Sequence, residues 1–303
     1  MSGPIDLSQL PVPVIIESLD FETIFAERKI GLIALVAPER REEVRQTLLL
    51  ESEPLTLLLQ ESAYRELVLR QRINEACLAV MVPYAEGPDL DNLAAGFNVS
   101  RLLVSPADNT VVPPITAIYE PDDELRPRIP DSFEGMSVAG PSGAYLVHAR
   151  AADGRIADVS VESPEPCDIV VAVLSREGDG TASQDILANV MAALSDEDVR
   201  PLGDRLTVQS AEIVPYGIEV VLYLYRGPEA ELVLAAANAR IDKYRNVQRK
   251  LGRSIRHSAL DAASHVEGVE HVGIVSPPED IVLTKLQAGF CTGITIRTVV
   301  LDD

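Results

Sequence analysis

The sequence has no tryptophan, five phenylalanines and eight tyrosines in 303 residues. Surfaces that stack bases or sugars need exposed rings, so that scarcity argues against a nucleic-acid or carbohydrate platform. Basic residues are also few, 26 against 47 acids, for a net charge of −21. A duplex binder needs Lys and Arg to displace counterions from phosphates, and anionic membrane surfaces repel so acidic a chain. The three cysteines, Cys77, Cys167 and Cys291, are too sparse and too far apart for a disulfide framework, which fits a reducing, cytosol-like compartment. No apolar run approaches the eighteen or so residues of a membrane span, and Met1-Ser2-Gly3-Pro4 has neither the basic nor the apolar region of a signal peptide.

The ordinary metal and nucleotide signatures are missing too. There is no Walker-type loop. Gly178-Asp179-Gly180 precedes a helical pattern and reads as a strand-to-helix turn, although a helix N-terminus can hold an anion. Asp179 and Asp185 do not complete a calcium loop. His148, His257, His265 and His271 lack zinc spacing, as do the cysteines. Gly140-Pro-Ser-Gly143 is not a nucleophile elbow. No catalytic, cofactor or metal residue is therefore expected.

What is present is a change of pattern along the chain. Residues 1–101 read as helical and bundle-forming. A helix is expected after Ser18 or Asp20, a second at Pro38 with Glu39, Glu42 and Glu43 near its positive end, and a third from Pro54 to about Val82. The third would be roughly 40 Å long at 1.5 Å per residue, with Leu59, Ala63, Leu67, Ile73, Cys77 and Val80 as an apolar stripe. Such a rod suits a bundle shared between chains. A short helix capped by Asp89 or Asp91 and closed by Gly96 follows.

Residues 102–141 hold seven prolines and read as an irregular connector of short strands and loops, without helix. Residues 142–303 read as α+β. A helix over 144–152 is preferred to a hairpin at Asp153-Gly154, and strands are expected at 157–163 and 168–174. A helix over 182–194 capped by Thr181 comes next, then strands 206–214 and 218–225 joined through Tyr216-Gly217. Pro228 opens a long helix to Lys250, with Glu229 in its first turn. A second helix over about 255–266, a strand at 269–275 and a final strand over 294–301 complete the order. Over 168–275 this is the split βαβ, ferredoxin-like sequence of elements.

The densest polar signal is Arg65, Glu66, Arg70, Arg72, Asn74 and Glu75 on the long helix, followed by Asp89, Asp91, Asn92 and Arg101. Surface ion pairing such as Glu66–Arg70 at i,i+4 explains it simply. A polar register device between helices of different chains is the functional alternative.

The run Tyr64-Arg-Glu-Leu-Val-Leu-Arg-Gln-Arg-Ile-Asn-Glu-Ala76, followed by Asp89-Leu-Asp-Asn-Leu-Ala-Ala95, resembles the baseplate J-like family of contractile phage tails and related bacteriocins such as pyocins. The turn within 175–183, the segment from Asp196 to Leu202 with Asp204, Leu251-Gly252, and Gly268-Val269 before Ser276-Pro277 agree in order. The resemblance implies a structural wedge component of the baseplate, assembled in the host bacterial cytoplasm. Its implied partners are other wedge proteins, copies of itself, the sheath initiator and the central hub proteins, with a ring of wedges around the spike hub. It implies no enzymatic activity, cofactor, small-molecule substrate, nucleic acid or membrane. Arg65, Glu66, Arg70, Arg72, Asn74, Asp89, Asp91, Asn92 and Arg101 are then the candidate partner interface. A small-ligand-binding or enzymatic cytosolic α+β protein is the rival reading, because ferredoxin-like domains serve many functions.

Overall fold

The computed structural model describes residues 7, 10–11, 13–137, 139–197, 199–225 and 230–300. The chain divides into two compact units, residues 1–100 with 122–129, and residues 101–121 with 130–303. The fold is α+β.

The first unit is helical. Helix α1 (Phe21–Leu35) starts at Asp20, whose carboxylate accepts the Thr23 amide at 2.8 Å and so satisfies one of the free N–H groups of the first turn. A 3-10 turn (Pro38–Arg40) leads into α2 (Arg41–Thr47), and Pro54 opens α3 (Pro54–Ala79). Ile24 and Phe25 of α1 pack on Ala63 of α3, with Phe21, Leu59 and Leu67 around them. Helix α4 (Gly87–Ala95) packs through Leu90 and Ala94 against Leu125 and Ile129.

Those last two residues belong to α5 (Asp122–Asp131), a helix in a stretch whose prolines suggested strands and loops. Pro127 and Pro130 each remove a helical donor. Offsetting them, Leu125 and Ile129 lie four residues apart and are fully buried, worth about 1.5–3 kcal/mol each. Arg126 and Arg128 also hold the carbonyls of Val82 and Ser100. The short strands expected nearby are present, β1 (Leu103–Ser105) paired antiparallel with β2 (Ile118–Tyr119).

The second unit holds two three-stranded sheets. A 3-10 turn (Glu134–Met136) and α6 (Ser142–Ala151) precede the first. Gly154 follows at a close approach, where a Cβ would stand 2.2 Å from the Leu103 carbonyl oxygen. In that sheet β3 (Ile156–Glu162) runs antiparallel to β4 (Asp168–Ser175), and β4 runs parallel to β5 (Arg205–Ser210) after the crossover helix α7 (Gln184–Leu194). The N-cap of α7 is Ser183; Thr181 instead bridges back to Leu174. Tyr145, Val159, Val171, Val173, Ile186, Val190 and Leu194 form the core.

The second sheet has β6 (Glu212–Leu224) at its centre, antiparallel to β7 (Val269–Ser276) and parallel to β8 (Gln287–Val300). Helices α8 (Ala230–Gln248) and α9 (His257–Ser264) cover one face, closing a core of Ile218, Val220, Leu222, Leu224, Ile241, Ile255 and Leu260. Pro228 and Glu229, expected to open α8, lie outside the described residues.

The element order expected over 168–275 is present, but its strands are shared between two sheets and do not form one. The chain changes sheet at Ala211, where the buried residue's amide donates to Val173 at 2.8 Å and the next donates to Leu286 at 3.0 Å. Tyr216-Gly217 is not a break between strands. It lies inside β6, as a register shift against β8.

Candidate partner interface

Helix α3 turns two different surfaces outward and inward, which the 3.6-residue repeat separates. Thr56, Leu59, Ala63, Glu66, Leu67, Arg70 and Asn74 share one side, and Leu59, Ala63 and Leu67 on it meet α1. Here the polar residues serve the subunit's own fold. Arg28 of α1 donates to Glu66, through Nε at 2.7 Å. Arg70 donates to the other Glu66 oxygen at 3.0 and 2.6 Å, and to Glu17 at 3.1 Å. The Arg28 guanidinium, then that of Arg70, holds the Glu66 carboxyl below the usual carboxylate range. Asn74 is 6% exposed and exchanges two hydrogen bonds with the Glu17 backbone, accepting its amide at 3.2 Å and donating to its carbonyl at 2.9 Å.

The opposite side is exposed. Leu58, Leu69, Ile73 and Val80 follow one line, and Leu57, Tyr64 and Val68 a second; each is about half or more exposed, Leu69 at 61%. Arg65 and Arg72 stand between the two lines, their side chains 79% and 80% exposed, with only the neighbouring-turn partners Glu61 and Glu75. The stripe read from sequence therefore joined two faces: Leu59, Ala63 and Leu67 point at α1, whereas Ile73 and Val80 point outward. The legible signal for the outward face was apolar residues on opposite sides of one helix, a pattern that marks a helix buried all round.

The remaining candidates disperse. Asp89, Asp91 and Asn92 lie on the exposed side of α4, away from Leu90 and Ala94. Arg101 falls in the second unit, where its guanidinium donates to the Glu120 carbonyl at 2.6 Å.

Most of the residues considered for chemistry have structural partners. The Asp179 carboxylate accepts the Thr181 amide at 2.9 Å, tightening the turn before α7. Asp185 bonds Ser183 and Arg155, which bring its carboxyl down to about 2. His148 meets the Gly135 carbonyl at 3.0 Å, His257 that of Pro277 at 2.7 Å, and His271 the Glu270 carboxylate at 2.8 Å. Among the described residues no group of three or more His, Cys, Asp or Glu side chains could hold a metal ion, and no helix is long and apolar enough to cross a membrane.

Comparison with known proteins decides the family. Residues 51–108 match the baseplate J-like N-terminal domain, 137–210 the central domain and 216–297 the C-terminal domain. Baseplate protein J of Escherichia phage P2 is 54% identical over 294 residues, 97% of each chain. The chain belongs to the baseplate J-like family. It is a baseplate component.

A chain of the anti-feeding prophage baseplate, from a six-fold symmetrised cryo-EM structure, is also similar, at 14% identity and a TM-score of 0.39. That likeness covers 61% of this baseplate J-like protein and 46% of the other chain, and is too slight to inform the fold. All nine interface candidates lie within the stretch matching the N-terminal domain. The other two matches follow the two sheets of the second unit, the central domain ending with β5 and the C-terminal domain starting within β6.

Proposed function

We propose that this protein is a structural wedge component of a contractile tail baseplate, in a phage or a phage-tail-like bacteriocin, and that it works by packing and not by catalysis. Its N-terminal helices bundle with other wedge proteins and with copies of itself. Its α+β part links wedges into a ring around the central hub, next to the sheath initiator, and assembly takes place in the host cytoplasm. The observation that carries the reading is the outward face of α3, where Leu57, Leu58, Tyr64, Val68, Leu69 and Ile73 are exposed on a helix already packed on α1. Two lines of exposed apolar side chains flanking a charged seam on one helix mark an interaction site. Family membership supplies the setting.

Co-expression with the neighbouring tail proteins, followed by mass measurement, tests it. The expected result is a complex of defined stoichiometry that Leu69→Ser with Ile73→Ser abolishes while the free chain melts as before. A chain that stays alone with every neighbour present, or complexes indifferent to those changes, would refute the proposal.

A further inference from the structure

The two sheets of the second unit each have a core of their own, and little apolar surface joins them. The joint buries Leu174, Ala211 and Ala288, with Ala157, Ile213 and Leu251 beside them. Most of these side chains are small. Interdigitated large side chains select one arrangement, whereas a flat contact of methyl groups lets two bodies turn on each other. A single residue, Ala211, connects β5 to β6.

Among the described residues, side-chain hydrogen bonds cross this joint at three places. Asp158 of β3 accepts the Leu251 amide, just past α8, at 3.0 Å. Ser160, two residues further along β3, donates to the Lys285 carbonyl at 2.6 Å. Arg249 donates to the Gly178 carbonyl, in the turn after β4, at 2.9 Å. Val159 and Val161 pack in the first sheet's core, so strand alternation puts Asp158 and Ser160 together on the opposite face. Bonds from two separate elements of the first sheet resist a turn about either one.

Of the anchors on the first sheet, Asp158 is the charged one, and it is itself held. Its side chain is 13% exposed, and its other oxygen accepts the Arg150 guanidinium at 2.9 Å from the end of α6. Helix α6 packs on the first core through Tyr145 and Ala149. The carboxylate is thus fixed to the first sheet's scaffold before it reaches Leu251, and an ionised acceptor makes the stronger kind of hydrogen bond.

We propose that Asp158 is a positioning residue: it sets the angle between the two sheets, and through that angle it governs entry of the chain into a baseplate. The inference rests on the assembly reading above, in which the chain works by packing. The two sheets coincide with separate family domains. Surfaces on both are met at once only at a suitable angle, and a joint fixed beforehand has less freedom to lose on binding.

The test uses the full chain carrying Cys77→Ser, Cys291→Ser and Glu279→Cys. Spin labels then sit on Cys167, exposed in the turn before β4, and at position 279, exposed in the loop after β7. Double electron–electron resonance should give one narrow distance for the parent and a broad spread for Asp158→Ala. Asp158→Asn keeps an oxygen for the Leu251 amide and should restore most of the narrow peak; it also keeps the test open if the alanine variant does not fold. Circular dichroism should be unchanged, and melting should fall by about 2–4 °C, as for one lost hydrogen bond. Without labels, Asp158→Ala should enter complexes with the neighbouring tail proteins about tenfold less well, and Asp158→Asn nearly as well as the parent. A narrow distance in the alanine variant overturns the proposal, as does a broad one with full assembly. A parent chain that joins none of its neighbours refutes the assembly reading instead, and the distances still decide whether Asp158 sets the angle.

Discussion

Among the described residues, the large apolar side chains of the second unit are more often buried than exposed, whereas in the first unit the exposed ones outnumber the buried. Ile218, Leu222, Ile241, Ile255 and Leu260 are at most 1% exposed under α8 and α9. On α1 and α3, Ile30, Leu35, Leu58, Leu69 and Ile73 are all more than half exposed. The first unit closes on small clusters, three residues between α1 and α3 and five between α4 and α5. The contrast separates two uses of apolar surface. One part of the chain spends it on its own fold; the other leaves it at the surface, where the proposed function places contacts between chains.

Breaking the larger core should have the largest effect. Leu222 is fully buried near the C-terminal end of β6, flanked by β7 and β8 and in one core with Ile241 of α8. Leu222→Ala removes that packing and leaves a cavity, at a cost of about 3–5 kcal/mol. Thermal melting followed by circular dichroism should show this as a large fall in the second unit's transition, with the helical unit unmoved.

The first unit depends more on polar ties. Asn74 sits on the inward side of α3 and clips the Glu17 backbone by two hydrogen bonds. Asn74→Ala leaves a partly buried amide and carbonyl without partners, costing about 1–3 kcal/mol. Hydrogen exchange should quicken at Glu17 and along α1 and not in the second unit. Unchanged protection there would show that the segment before α1 is held by something else.

How far the sequence disclosed this contrast depends on range. Features set by near neighbours were legible: a polar cap at Ser18 or Asp20, of which Asp20 serves, Pro54 opening α3, the apolar run of β4, and a long helix at α8. Features set by distant partners were not. Helix α5 exists because α4 buries Leu125 and Ile129, which no local preference of a segment with Pro127 and Pro130 foretells. The division into two sheets rests on Ala211 and on the pairing of β6 with β8, partners more than seventy residues apart. Among the candidate interface residues, Asn74 and Arg70 bond within the chain, to partners the sequence did not point to: Glu17 for both, and Glu66 shared with Arg28. Spacing separates Arg70 from Arg65 and Arg72, but with apolar residues on both sides of α3 it does not say which side faces inward.

A smaller effect separates the two units by acid. Asp153 is held below the usual carboxylate range, first by the Arg155 side chain and further by Asn189. Asp185, also on Arg155, is down at about 2. A carboxylate with a depressed folded value adds stability that is complete above its unfolded value near 3.8 and is lost as pH falls from there toward 2. Arg155→Gln should therefore raise the acid unfolding midpoint of the second unit while leaving its melting at pH 7 less changed than Leu222→Ala does. An acid midpoint identical to the parent's would mean that the pair forms in the unfolded chain as well.

The smallest effect expected on the free chain carries the most weight for function. Arg65 and Arg72 reach only Glu61 and Glu75 on their own helix, and pairs so exposed contribute little to stability. Replacing both by alanine should leave melting of the isolated protein where it was. In a bundle, however, the two guanidiniums stand between the apolar line through Leu58 and Leu69 on one side and the line through Tyr64 and Val68 on the other. Any chain covering those lines covers them too. A covered guanidinium needs a carboxylate opposite it, and removing it strands that partner. The double variant should then express and melt normally yet fail to enter complexes with the neighbouring tail proteins. Arg70→Ala provides the contrast, because Arg70 faces Glu66 and Glu17 and its loss should loosen the N-terminal segment in the free chain. If the Arg65 and Arg72 double variant assembles fully, the outward arginines are a solvated seam, and the covering chain meets the apolar lines without reading the charges between them.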